Sequence, residues 1–277
     1  MDFERALDKK QTTCILAIGQ LMVAPFLFFS GYGIMEQIQK RGVSYIDGMP
    51  RKRILKFYVH FCMALTIYLV LAFVLGKGYS LSRIILSFTG WSSIGNSNWY
   101  VFAILVMYSI VYISFKCFKK QNLSICVLLT ILYIVVMKEA KGQDWWYNII
   151  LCYLAGMVLS KYKDRVCSVI QKPVFFVLML ALALVLYLVS LPVLAYEVVA
   201  VTLCFLIVDV CAYKEIKNSL FHFLGQYVFE IYILQRVSMN LFNGYLDGLV
   251  YLITCILATL VLAYCFKKLE TVIDSYF

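Results

Sequence analysis

Arg236 is the side chain whose position most needs explaining, because it stands near the middle of a long apolar run. Glu230 lies earlier in the same run, and Glu197 and Asp209 lie toward the two ends of the preceding one. An unpaired charge at mid-bilayer costs about 2.5–3.5 kcal/mol even on the lenient insertion scale, so charges kept there face a cavity, a partner or an interface. Asp209 is close enough to an end to snorkel. Arg236 is not, and its position implies a polar cavity in which Glu197 is the candidate partner. Gln226 and Glu230, four residues apart, share a helix face and extend that stripe. Arg236 and Glu230 are therefore the candidate catalytic residues.

A second group is the run Met49-Pro50-Arg51-Lys52-Arg53-Ile54-Leu55-Lys56. Arg53 and Lys56, three apart at a helix start, would share a face able to grip a phosphorylated ligand. The competing reading is an orientation anchor among anionic headgroups. Upstream, Gly31 and Gly33 permit a close approach or a break, and Pro25 permits a kink. The two histidines, His60 and His222, have no carboxylate identifiable beside them, and a lone histidine in such a setting is more often packed than catalytic. Nothing has metal-ligand spacing.

The elements that must position these residues are transmembrane helices. Apolar residues make up 63% of the 277 and charged residues 14%, the profile of a chain whose solvent is lipid. A helix needs roughly 20 apolar residues to cross the hydrocarbon core. Nine blocks qualify or nearly do, at 13–35, 54–75, 99–116, 123–137, 147–160, 174–190, 193–211, 225–243 and 248–266. The expected fold is an all-α polytopic bundle of about nine spans, one membrane domain over 1–277, with a tail at 1–12, the bundle at 13–266 and a second tail at 267–277. Backbone amides in lipid must be satisfied internally, which leaves helices as the reading of such blocks.

The net charge of +10 does not point to nucleic acid, because the basic residues follow alternate loops. Lys40, Arg41, Arg51 to Lys56, Lys116, Lys119, Lys120, Lys161, Lys163, Arg165, Lys172, Lys214, Lys217, Lys267 and Lys268 fall on one side; Lys77, Arg83, Lys138 and Lys141 fall on the other. The basic side is expected to be cytoplasmic, with the C-terminus inside and the N-terminus outside. All four tryptophans, Trp91, Trp99, Trp145 and Trp146, then fall outside, beside Asn96, Asn98 and Asn148. An aromatic belt accounts for tryptophans at both interfaces; one-sided placement with neighbouring amides also suits the CH faces and hydroxyl edges of sugars. The ten cysteines read as small apolar residues. No cleavable signal peptide is evident.

Taken in order, these stretches resemble the acyltransferase-3 family of membrane enzymes. The resemblance rests on Pro25-Phe26-Leu27-Phe28-Phe29-Ser30-Gly31-Tyr32-Gly33, the basic Arg51 to Lys56 run, Asn98-Trp99-Tyr100-Val101, Trp146-Tyr147-Asn148 with Gly156-Met157, Phe223-Leu224-Gly225 and Glu230-Ile231-Tyr232-Ile233-Leu234-Gln235. It implies transfer of an acyl group, expected to be acetyl, from cytoplasmic acyl-CoA to a hydroxyl of an extracytoplasmic glycan or lipid-linked sugar. No bound cofactor or metal is implied, and the place is a cell membrane, expected to be a bacterial inner or plasma membrane. Donor-side residues are then Arg51, Arg53, Lys56, Ser30 and Tyr32, and acceptor-side residues Asn98, Trp99, Trp146 and Asn148.

The family usually has ten spans and carries its proposed catalytic histidine on the first. Nine spans and an outer N-terminus are what loss of that span would leave, so the expectation is a chain lacking its general base, with Gln235 where a late histidine often stands. Two other readings compete: a non-catalytic scaffold of a glycan-assembly system, and a transporter of small solutes or lipid-linked sugars.

Overall fold

The computed structural model describes residues 2–118, 122–213 and 217–277, with side chains from Ile18 onward. Lys119, Lys120 and Lys214, and the side chains of the charged stretch Asp2 to Lys10 and of Cys14, lie outside the described residues. The described chain is helical, without a β-sheet. Its helices are α1 (Asp2–Arg41), α2 (Val43–Met49), α3 (Lys56–Val74), α4 (Leu81–Phe88), α5 (Trp99–Cys117), α6 (Asn122–Lys141), α7 (Leu151–Lys161), α8 (Lys163–Ile170), α9 (Pro173–Leu188), α10 (Pro192–Tyr213), α11 (Ser219–Gln226), α12 (Val228–Phe242) and α13 (Gly248–Asp274).

Each of the nine apolar blocks falls on a helix. Among the described residues, six stretches are long and apolar enough to cross a membrane: Ile18–Arg41, Val43–Val74, Trp99–Cys117, Asn122–Lys141, Pro192–Tyr213 and Gly248–Asp274. A seventh results if α8 and α9, bent by 83°, count as one. This is a multi-pass membrane protein. The blocks at 147–160 and 225–243 are realised as shorter helices of 11 and 15 residues. The second is broken at Tyr227, which caps α11 and precedes α12. Gln226 and Glu230 therefore stand on different helices, and the single polar stripe expected of them is not formed. Gln226 instead meets His222 at 3.0 Å.

The chain divides into two compact units, residues 1–47 with 110–216, and residues 48–109 with 217–277. In the first, α1 packs against α7 at very short range. A Cβ on Gly31 would lie 2.0 Å from the Tyr153 carbonyl oxygen, and one on Gly156 would lie 1.9 Å from that of Phe28. The helices cross backbone to backbone, as small residues allow in membranes. Of the two readings of Gly31, close approach holds, since α1 runs through it unbroken. Gly31→Ala and Gly156→Ala are each expected to cost about 1–3 kcal/mol or more, because helix axes must part. Gly33 has open space around its Cβ direction, so Gly33→Ala should be neutral or slightly stabilising. Thermal unfolding in detergent compares the three.

In the second unit α3 packs on α12, and α12 on α13. Tyr68 donates to the Ile233 carbonyl at 2.8 Å, and Thr259 to the Ser238 hydroxyl at 3.1 Å. Between α2 and α3 the chain winds as a π-helix over Pro50–Leu55. Proline lacks an N–H and its ring clashes with the carbonyl four residues back, so a wider turn lets the helical path continue through Pro50. The basic motif Arg51-Lys52-Arg53 rides on that widened turn and is exposed.

Candidate functional site

Residues of α3 at four-residue spacing put Lys56, His60, Ala64, Tyr68 and Ala72 along one face. At the Lys56 end this face meets the last two turns of α13. Lys56 Nζ lies 2.7 Å from Asp274 Oδ2. His60 Nε2 lies 2.9 Å from the other oxygen of Asp274, and His60 Nδ1 lies 3.2 Å from Glu270. Lys267 bridges Glu270 at 3.4 Å and Glu230 of α12. Arg51 Nη2 donates to the Tyr276 carbonyl at 2.9 Å. His60, Glu230 and Glu270 are buried.

This network corrects the reading of His60 as a histidine without a positioned carboxylate. It has two, one at each ring nitrogen. Asp274 hydrogen-bonds one ring nitrogen, whereas the Glu270 oxygen 3.2 Å from the other makes no hydrogen bond, so the imidazole is held by Asp274 and faces Glu270. The signal lay in spacing: Lys267, Glu270 and Asp274 fall at i, i+3 and i+7, a charged face at the end of an apolar helix, and Lys56 and His60 form an i, i+4 pair.

Further along α12, Arg236 is exposed within the fold, and its charge reaches the buried phenols of Tyr68 and Tyr232. Within its own unit no carboxylate pairs with it. Tyr232 packs edge-on against Tyr100, the centroids 5.1 Å apart, and Tyr100 against Trp99 at 6.2 Å. Asn98 donates to the Gly90 carbonyl at 2.7 Å, tying the loop before α5. One turn beyond Arg236, Asn240 donates to the Gly95 carbonyl at 3.3 Å. Beside it is a shallow, open cleft with enclosed room for about one water, lined by Tyr68, Leu75, Lys77, Tyr79, Ile94 and Asn240 among others. The second unit thus holds, in order along α3 and α12, a charged network, an arginine beside two phenols, and a cleft.

The other candidate residues lie in the first unit. Ser30 and Tyr32 are half-buried on α1, and Tyr32 has the Lys163 side chain against its phenol. Glu36 accepts from Ser160 at 3.2 Å and pairs with Lys40. Trp146 is buried, with Lys141 Nζ 4.4 Å above its ring, and Asn148 donates to Gln20 at 2.8 Å. Burial, with help from the Asp144 carboxylate to which it donates at 2.7 Å, pushes the Tyr147 phenol up to about 12. That phenol stays protonated at physiological pH and holds this turn. Glu197 is buried and accepts from the Leu151 amide at 3.2 Å. The Leu151 amide at the start of α7 thus gives the buried Glu197 side chain a partner within the first unit.

In comparisons with known proteins, residues 4–268 match the family model described as an acyltransferase domain. No curated protein and no solved structure matches the chain.

Proposed function

We propose a specific reaction for this chain, which belongs to the acyltransferase-3 family of integral-membrane acyltransferases acting on extracytoplasmic substrates: transfer of an acyl group, taken to be acetyl, from cytoplasmic acyl-CoA to a hydroxyl of a glycan or lipid-linked sugar. The supporting observation is the polar column along α3 and α12. Ionisable and polar groups along membrane helices mark a functional site by default, and Lys56, His60, Tyr68, Glu230, Arg236 and Asn240 form such a succession along this helix pair. Twelve residues separate Lys56 from Tyr68, about 18 Å of helix rise, comparable to an extended phosphopantetheine arm.

In this reading the end carrying Arg51, Arg53 and Lys56 is cytoplasmic and takes the donor phosphates, with Ser30 and Tyr32 assigned to the same substrate. The thioester comes to Arg236. The acceptor oxygen bonds to the acyl carbon, the carbon–sulfur bond breaks, and the hydroxyl proton ends on the coenzyme A thiolate. Arg236 holds the oxyanion formed between these events with its planar donor fork. Glu230 acts indirectly, by holding Lys267. Asn98 and Trp99, with Trp146 and Asn148, are assigned to the acceptor side. Attack by a hydroxyl needs a general base, and added imidazole raising a weak turnover would show that this base is missing from these residues.

Asp274, already paired with Lys56, competes with a phosphate for its charge. Arg53→Ala and Lys56→Ala are therefore expected to weaken coenzyme A binding about tenfold or more, as loss of a charge-assisted contact implies. Asp274→Asn is expected to strengthen it. Equilibrium binding to detergent-solubilised protein measures all three; three unchanged affinities would return the basic motif to a lipid anchor.

A further inference from the structure

We infer that the cleft at the Lys77 end of α3 is a subsite for an anionic group, a phosphate or a carboxylate, carried by the acceptor near the hydroxyl that is acylated. The word acceptor rests on the acyl-transfer reading; the binding of an anion does not.

The turn that closes α3 fixes the cation at the rim. Gly76 takes a positive φ of 64°, its amide donates to the Phe73 carbonyl, and the Lys77 amide donates to that of Ala72 at 2.8 Å. This pair of bonds ends a helix with its last carbonyls satisfied, and it leaves the Lys77 side chain lining the cleft opposite Asn240. Arg83 reinforces the charge. Its guanidinium lies 5.0 Å from the centre of the Tyr79 ring, which also lines the cleft, and its Nε is held by the Ser93 carbonyl at 2.9 Å.

Between Leu75 and Asn98 the chain has no aspartate or glutamate, and no ion pair among the described residues neutralises Lys77 or Arg83. The negative end of the α3 dipole amounts to about half a charge, less than the two full charges at the rim. Lys77 and Arg83 are half of the four basic residues in the loops of the sparsely charged side, so the positive-inside rule does not explain them. The apolar wall from Leu71, Leu75 and Ile94, with the Tyr79 ring, suits the CH face of a sugar or the start of a lipid tail. Tyr68 forms the floor, and its phenol lies in the field of Arg236. A group anchored at Lys77 would therefore place a neighbouring hydroxyl toward the guanidinium assigned to the oxyanion.

Binding of two probes and two controls to the detergent-solubilised chain tests this: glucuronate against glucose as its neutral control, and a polyprenyl phosphate against phosphatidylglycerol as an ordinary anionic lipid. Glucuronate or the polyprenyl phosphate is expected to bind at least about tenfold more tightly than its control, the probe that binds naming the source of the anion, and Lys77→Gln to erase that preference. Lys77 is exposed, and unchanged coenzyme A binding confirms that the variant folds. Arg83→Gln is expected to weaken the same probe. Glucose binding as tightly as glucuronate, phosphatidylglycerol matching the polyprenyl phosphate, or affinities indifferent to Lys77→Gln would each overturn the subsite. Binding is read without turnover, so its failure leaves acyl transfer standing, and absence of transfer leaves the anion site standing.

Discussion

Lys267→Ala is expected to destabilise the protein by about 1–3 kcal/mol, less than breaking a fully buried ion pair costs, because the Lys267 side chain is 43% exposed and solvent screens its pairing. Lys267 is the cation that faces both Glu230 and Glu270, and both carboxylates are buried. Removing it leaves two acidic groups in a low-dielectric site with only His60, itself shared with Asp274, to offset them. The penalty belongs to the stranded charge rather than to the lost attraction. Lys267→Met combined with Glu230→Gln should therefore recover a large part of the loss, and the double-mutant cycle separates coupling from simple packing. Thermal unfolding followed by size-exclusion chromatography in detergent reads the series. Equal destabilisation by Lys267→Ala and the double variant would show that Glu230 and Lys267 are not coupled.

Arg236→Ala is expected to lower acyl transfer about 10²–10³-fold, the range seen when an oxyanion donor is removed, while coenzyme A affinity stays unchanged. Arg236→Lys should recover little, since a point charge on a flexible stem does not reproduce a planar fork. The split between turnover and donor binding is the discriminating result. A variant that loses both together would make Arg236 a donor-binding or structural residue.

The helical class and the apolar blocks were legible because hydropathy records a constraint each residue meets by itself, the need to keep backbone amides bonded in lipid. Close approach at Gly31 was legible only as one of two alternatives, since glycine equally permits a break and Gly33, read the same way, has open space. Relations across long sequence separation were not legible. His60 and Asp274 are 214 residues apart, and nothing local to His60 announces a carboxylate. The break at Tyr227 was hidden because α11 and α12 are both apolar enough to read as one run, and the π-turn at Pro50 because one proline is compatible with a kink, a cap or a wider winding. Glu197 shows the limit from the other direction. Its placement among apolar residues suggested Arg236 as a partner, whereas the partner seen within its own unit is the Leu151 amide, which sequence does not display.

The central claim is that an acyl group passes from donor to acceptor along the α3 and α12 column. Its most direct test is a sided transfer assay with the purified chain in proteoliposomes, radiolabelled acetyl-CoA on the Lys56 side and a hydroxyl-bearing glycan acceptor on the Lys77 side. The account predicts label covalently attached to the acceptor, abolished when donor and acceptor exchange sides and reduced about 10²–10³-fold by Arg236→Ala. Coenzyme A binding with no label on any acceptor, with or without imidazole, would contradict it in favour of a scaffold, and movement of unmodified solute across the membrane would contradict it in favour of a transporter.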